Sequence, residues 1–203
     1  MAKPFDQVVR DRIAPVAKDA GYTKKGRLFI REDERGDRAV LEARQHRLGQ
    51  HDAEFFLDVH VQPRIWRDYL TQDGGDTHAG IWSDRLRPPG QRAGGMSDLW
   101  SFDLADEASG RVLSEAVAAA LPALVRLLDA DNLLPLVRAK NAATGRPSAT
   151  VAALLCTQGP SEELEALLST LEQEDPDERP GFDMPAYVGF LRAWMADHAP
   201  TQR

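Results

Sequence analysis

The spacing of apolar residues changes along the chain, first with the period of a helix and then with that of a strand. Apolar residues in the first twenty positions recur every three or four residues, which predicts an opening amphipathic helix. Pro15 lies inside this pattern and removes the hydrogen bond to the carbonyl of Asp11, so we expect a bend near Asp11. The apolar stripe comprises Phe5, Val8, Val9, Ile13, Val16, Ala17 and Ala20.

Three runs that follow this helix have strand character: residues 27–31, 38–46 and 54–62. The third is the clearest, because its residues alternate with the period of two expected when one face of a strand is buried. Short polar connections join the runs, which predicts an antiparallel meander preceded by a basic turn at residues 23–26. The predicted buried face of the third run consists of Phe55, Leu57, Val59 and Val61.

Two further strands are predicted at residues 81–86 and 99–104, separated by a long loop rich in glycine and proline. A short helical turn is predicted at 66–70. From residue 109 onward the pattern is helical, beginning with a long apolar stripe that Pro122 interrupts. The stripe begins at Val112. Shorter helices are predicted at 132–139, 147–157, 161–172 and 185–198.

These elements predict an α+β fold. One N-terminal helix packs on an antiparallel sheet of about five strands, and an all-helical C-terminal half follows. We place the division between residues 1–108, the sheet domain, and residues 109–203, a helical region expected to pack on it.

The composition is that of a globular protein with an acidic surplus. Hydrophobic residues make up 42% and charged residues 28% of the 203 residues, which excludes disordered and membrane-embedded classes. Twenty-five basic against 32 acidic residues give a net charge of -7, which disfavours nonspecific nucleic-acid binding. One cysteine and a start without the apolar core of a signal peptide predict a cytoplasmic protein. We expect no stretch to span a bilayer.

A set of packing and turn positions runs through the first two thirds of the chain. It comprises Phe5, Val8, Val9, Ile13, Pro15, Val16, Gly21, Tyr22, Lys24, Lys25, Gly26, Phe29 and Arg31, then residues 56–61, Arg85, Leu86, Leu99 and Trp100. In these positions the chain resembles a bacterial family of domains of unknown function, numbered forty-three zero-four, over about residues 5–128. Leu99 stands where a second tryptophan is common in that family. The resemblance implies the fold, and it implies no activity, substrate or catalytic residue.

Strong catalytic and nucleotide-binding motifs are absent from the sequence. It contains no phosphate loop, dinucleotide fingerprint, zincin motif, serine elbow or paired CxxC. The segment 73–78 lacks the alternating oxygen ligands of a calcium loop and is predicted to be a solvated turn. Cys156 lies among apolar residues and is predicted to be a buried small hydrophobe. We therefore assign no cofactor and no metal site.

One polar cluster is a candidate for catalysis. If the second and third strands pair so that their residue numbers sum to about 100, Glu42 faces Asp58 and Arg44 lies diagonally between them. Such a pair of carboxylates can serve as the acid and base of a hydrolase, with Arg44 or His60 assisting. The alternative, favoured because charged cross-strand pairs are routine, is a salt-bridged outer face of the sheet. The same register separates His46 from His60 by about 20 Å, too far for one metal.

The remaining candidates are residues that contact a partner. Lys24, Lys25 and Arg27 form a basic turn that suits an acidic partner or nucleic acid, although basic residues also guard sheet edges against pairing. Trp66 and Trp82 lie near glycine-rich loops, where they either pack in the core or line a binding groove. The leading hypothesis is a non-catalytic module that binds another macromolecule, in a regulatory or toxin-neutralising role. The alternatives are the hydrolase above and weak nucleic-acid binding through the basic turn.

Overall fold

The structure, a computed structural model, has the predicted α+β fold, with an N-terminal helix, an antiparallel sheet and a mostly helical later part. The chain divides into two compact units, residues 1–61 with 83–128 and residues 62–82 with 129–203. This division differs from the sequence-based one at residue 108, because the long helix that follows belongs to the unit containing the sheet. The structure describes residues 3–46, 53–74, 80–91, 98–104, 106–142, 148–174 and 183–198.

The opening helix is split, as predicted from Pro15. A π-helical turn at Val9–Ile13 separates α1 (Pro4–Val8) from α2 (Ala14–Asp19), and Pro15 lies in the first turn of α2. Proline there cannot donate to the preceding turn, and the wider π turn accommodates the missing hydrogen bond. Gly21 follows α2 with a φ of 82°, a left-handed conformation that suits glycine and reverses the chain into the sheet.

The sheet has six strands in the part of the chain that the structure describes. They are β1 (Thr23–Lys25), β2 (Leu28–Glu32), β3 (Arg38–Gln45), β4 (Ala53–Gln62), β5 (Trp82–Leu86) and β6 (Trp100–Phe102). Strands β1 to β5 are neighbours in that order, and β6 also pairs with β4. All five predicted runs are therefore strands.

The predicted turn at residues 23–26 is wrong. Thr23–Lys25 pair with β2 as an edge strand, and the turn itself is Gly26 with Arg27. Of these two turn residues, Gly26 alone has a positive φ, 64°, which fits the first central position of a type II′ hairpin turn and its right-handed twist.

The core of the first unit lies between the helices and one face of β4. The side chains of Phe55, Leu57 and Val61 have no exposed surface and Val59 is 9% exposed, so the predicted buried face is confirmed. The ring of Phe5 lies 5.6 Å from that of Phe55, which places the opening helix over this face.

The long helix α4 (Glu107–Arg126) belongs to the same layer as the opening helix. The hydroxyl of Tyr22 donates to the carbonyl oxygen of Leu121 at 3.4 Å. A Cβ at Gly110 would come within 2.8 Å of Arg12, so glycine there allows Arg12 to pass and bind Glu107. The helix continues through Pro122, which is exposed.

Among the described helices, α4 is long and apolar enough, by length and composition, to cross a bilayer. The expectation that no stretch would qualify is therefore wrong for α4. Its apolar residues Leu113, Val117, Leu121 and Leu124 are buried in the first unit, which is also the pattern of a core helix.

The second unit consists of helices: α3 (Arg64–Asp73), α5 (Ala130–Ala142), α6 (Ala149–Gln158), α7 (Glu162–Glu172) and α8 (Met184–His198). The short turn predicted at 66–70 is thus a complete helix, α3. Ser161 caps α7 by accepting from the N–H of Leu164 at 3.2 Å. The hydroxyl of the fully buried Tyr187 donates to the carbonyl oxygen of Ala149 at 2.7 Å.

Candidate functional site

The register of β3 against β4 determines which polar side chains meet. The main-chain N–H of His46 donates to the carbonyl oxygen of Glu54 at 2.8 Å, so residues whose numbers sum to 100 are paired, as predicted. Because side chains alternate along a strand, one face of the sheet collects the chemistry-bearing residues. We call this the polar face, and it contains Glu42, Arg44, His46, Glu54, Phe56, Asp58 and His60.

Asp58 lies at the centre of the polar face, with its side chain only 13% exposed. Arg44 donates from Nε to one carboxylate oxygen at 2.8 Å, and Arg85 on β5 donates from Nε to the other at 3.1 Å. The position of Arg44 beside Asp58 was predicted from the sequence. The contact of Arg85 with Asp58 was not predicted, because nothing in the sequence fixes the register of β5. Both oxygens of Asp58 are engaged by cations, which makes this carboxylate a poor general base.

The two guanidinium groups also enclose an aromatic ring. The guanidinium of Arg44 lies 5.1 Å and that of Arg85 4.5 Å from the centroid of Phe56, within cation–π range. Phe56 is consequently only 8% exposed although it lies on the face opposite the core. The hydrogen bond that Arg44 donates to Asp58 raises the pKa of Arg44.

The arginine–aspartate contacts continue from β5 to Asp98, whose side chain is 7% exposed. Arg87 donates from Nε to Asp98 at 3.1 Å, and Arg85 donates to its other oxygen at 3.4 Å. Arg87 also contacts the exposed Asp84 at 3.3 Å. We call Arg44, Asp58, Arg85, Asp98 and Arg87 the arginine–aspartate network.

The two histidines of the polar face each lie beside a different carboxylate. His60 Nε2 lies 3.6 Å from Glu42, and His46 Nδ1 lies 3.4 Å from Glu54. Both ring nitrogens of His60 are buried and have no hydrogen-bond partner among the described residues. Among the four catalytic candidates, Arg44 thus contacts Asp58 and His60 lies beside Glu42, while Glu42 faces Asp58 across the strands as predicted.

The basic candidates lie at the β1 edge of the sheet. Lys24, Lys25 and Arg27 are exposed. Arg27 covers the ring of Phe5 at 4.8 Å and approaches Asp6 at 3.9 Å, so it also closes the core. A strand of three residues carrying two lysines is the form by which proteins protect sheet edges from pairing.

The two candidate tryptophans are partly buried, and neither is fully exposed. Trp66 on α3 contacts the rings of Tyr69 and Tyr187 at 6.2 Å and 6.4 Å between centroids. Trp66 thus belongs to the aromatic core of the second unit. Trp82 begins β5.

A cavity of about 530 Å³ lies between the outer edge of β6 and the first turns of α4. Val112, expected in the buried stripe of α4, is 41% exposed and lines it. We call this cavity the β6–α4 groove, and its lining is Pro88, Pro89, Gln91, Leu99, Trp100, Ser101, Phe102, Ala108, Ser109 and Val112. The groove depends on which strand pairs with β4, and no local pattern in the sequence indicates that pairing.

The strand edge in this groove is open. Glu54 faces Ser101 in the β4–β6 ladder, but the carbonyl of Glu54 already points to His46 on the other side. Antiparallel pairs alternate between bonded and non-bonded, so Glu54 with Ser101 is a non-bonded pair. The N–H and C=O of Ser101 therefore point away from β4, and they meet no partner among the described residues.

The remaining candidates are Cys156, a metal site and the turn at residues 73–78. Cys156 is 3% exposed, as predicted, and burial raises the pKa of its thiol to about 12. Within the described ranges, no three His, Cys, Asp or Glu side chains are arranged to hold a metal ion. Most of the turn predicted at 73–78 lies outside the described residues.

Comparison with known proteins adds no relative: no family model, curated protein or solved structure matches this chain. The resemblance to the family of unknown function therefore stays a prediction, and any function must be argued from the chain's own geometry.

Proposed function

We propose that this protein is a non-catalytic module that binds a segment of another protein in the β6–α4 groove. The observation that carries the proposal is the open backbone edge of Ser101 beside a cavity of about 530 Å³. A partner peptide satisfies those backbone groups and covers the exposed side chain of Val112 at the same time. The net charge of -7 favours a basic partner, which agrees with a regulatory or toxin-neutralising role.

The shape of the lining supports a peptide as the ligand. Four consecutive residues, 99–102, line one wall, so the ligand lies along a strand edge. Ala108, Ser109 and Val112 line the other wall and share one side of α4. A groove between a strand edge and a helix is a recurring arrangement for extended peptides.

The hydrolase alternative depends on Glu42 and His60, because Asp58 is engaged by two arginines. Neither Glu42 nor His60 lines the β6–α4 groove or the smaller cavity of about 180 Å³ beside Arg12 and Glu107. We expect the purified protein to hydrolyse no ester or phosphoester in a substrate panel. Activity that disappears in His60→Gln would instead support the hydrolase.

The nucleic-acid alternative depends on Lys24, Lys25 and Arg27. We expect binding to single-stranded oligonucleotides to be absent at physiological salt, because the chain is acidic overall. A measurable affinity that falls steeply with salt and is lost in Lys24→Glu/Lys25→Glu would support this alternative.

The proposed function is tested by photocrosslinking from inside the groove. A benzophenone amino acid replaces Val112 in one variant and Ala118, which is exposed on α4 outside the groove, in the control. We expect a discrete protein adduct in host cells from position 112 and not from position 118. The identified partner should then bind the purified wild type and lose affinity for Val112→Arg but not Ala118→Arg. Equal crosslinking from both positions contradicts the proposal.

A further inference from the structure

We infer that the partner segment binds as an added strand on β6, with a basic residue opposite Ser101 and apolar residues on either side. This inference rests on the proposed function, because it specifies how a peptide occupies the β6–α4 groove. Three features of the groove lead to it: the direction of the free backbone groups, the two faces of the sheet and the local charge.

The backbone fixes the register of the guest strand. The N–H and C=O of Ser101 point away from β4. The N–H and C=O groups of Trp100 and Phe102 point toward Phe55 and Ala53, their partners in β4. A guest residue opposite Ser101 therefore exchanges two hydrogen bonds with it. The guest residues on either side direct their N–H groups away from β6.

The faces of the sheet fix where the guest side chains point. Directly opposite residues share a face, so the guest residue opposite Ser101 points to the polar face. Its two neighbours point to the face of Trp100, which is paired with Phe55 and hence lies on the side of the opening helix. On that side the exposed Val112 offers an apolar surface. The guest therefore needs apolar residues at these two positions.

The charges around the groove determine which guest residue is preferred opposite Ser101, between the two apolar positions. The segment joining β6 to α4 carries the exposed carboxylates of Asp103 and Asp106 near the exposed guanidinium of Arg111, whereas the carboxylate of Glu107 is already bound by Arg12. The polar face at this end also holds Glu54, opposite Ser101. The guanidiniums of Arg44 and Arg85 on this face are paired with Asp58 and Asp98, so the remaining carboxylates attract a lysine or arginine opposite Ser101 and repel an acidic residue there. The preferred guest is thus an extended peptide in which apolar and basic residues alternate.

The probe is a fluorescein-labelled nine-residue peptide of alternating valine and lysine, titrated against the full-length protein by fluorescence anisotropy. The control peptide has the same composition with valines and lysines in two blocks. Two further versions carry N-methyl groups on every lysine or on every valine. We expect the alternating peptide to bind saturably and the block peptide to bind much more weakly.

N-methylation is the deciding comparison. Methylated lysines lose the N–H that faces Ser101, so affinity should fall at least about tenfold, whereas methylated valines should leave it nearly unchanged. On the protein, Ser101→Pro removes an N–H that β4 does not use, and edge strands tolerate such a proline. We expect Ser101→Pro to lower the affinity for the alternating peptide about three- to tenfold and to leave the urea midpoint of the protein unchanged.

The outcomes separate this inference from the proposed function. Equal binding of both methylated peptides overturns the strand pairing and leaves the groove as a binding site. If the alternating peptide does not bind but position 112 still gives a specific adduct, the predicted alternation of apolar and basic residues in the partner is wrong. The groove then remains a binding site. Absence of both overturns the inference and the proposed function. An oligonucleotide that displaces the peptide from wild type but not from Val112→Arg would assign the groove to nucleic acid instead.

Discussion

Replacing Asp58 with asparagine is expected to lower the free energy of unfolding by about 2 kcal/mol. The change removes a carboxylate that is 13% exposed and that accepts from Arg44 at 2.8 Å and from Arg85 at 3.1 Å. Hydrogen bonds to charged groups contribute about 1.5–3 kcal/mol each, and breaking a fully buried ion pair costs about 3–5 kcal/mol. The side chains of Arg44 and Arg85 are 48% and 34% exposed and can recover water, which reduces the expected cost.

Urea denaturation followed by circular dichroism measures this loss. The midpoint should fall while the slope with urea stays unchanged, because the folded state remains equally compact. Asp84→Asn is the matched control, since Asp84 is an aspartate in the same sheet that pairs with Arg87 but is 50% exposed. We expect its cost to stay within about 0.5 kcal/mol. A loss of less than 0.5 kcal/mol for Asp58→Asn, or equal losses for both variants, would refute the reasoning.

Three further results are expected. Leu57→Ala should lower the free energy of unfolding by about 3 kcal/mol in the same urea assay, because it leaves a cavity beneath the helices. Leu136→Ala, at a position that is 40% exposed, should lower it by well under 1 kcal/mol. Cys156, whose thiol pKa is raised to about 12 by burial, should resist iodoacetamide at pH 8 in the folded protein and react fully in urea, as mass spectrometry can establish. Burial raises the pKa of Tyr22 and that of Tyr69, the latter to about 12, so the unfolded chain loses these protons first and stability should fall as the pH rises from 10 to 12. A urea midpoint that stays constant over that range would contradict the burial of these hydroxyls.

The sequence predicts the parts of this fold that depend on local periodicity. The alternation of residues 54–62 identifies β4 and its buried face, and Pro15 predicts the split in the opening helix. The register of β3 against β4 is also predictable, because the two strands are neighbours in sequence and a short loop fixes their pairing. Arg44 and Asp58 therefore meet as expected.

Features that depend on distant pairing are not predictable in this way. Arg85 reaches Asp58 from β5, and Ser101 lies beside α4 because β6 pairs with β4. Ser101 and its ladder partner Glu54 lie 47 positions apart in the sequence. Local patterns carry no information about such contacts. Val112 illustrates the same point, since its spacing matches the buried stripe of α4 but no described element covers it fully.

The most direct test of the central claim is amide hydrogen exchange at β6, read residue by residue by NMR. In the free protein, the N–H of Ser101 should exchange rapidly, while those of Trp100 and Phe102, which are bonded to β4, should be protected. Adding the alternating valine–lysine peptide should protect Ser101 as well. Protection of Ser101 in the free protein equal to that of its two neighbours would mean that the edge is already covered, and it would contradict the binding function proposed for the groove.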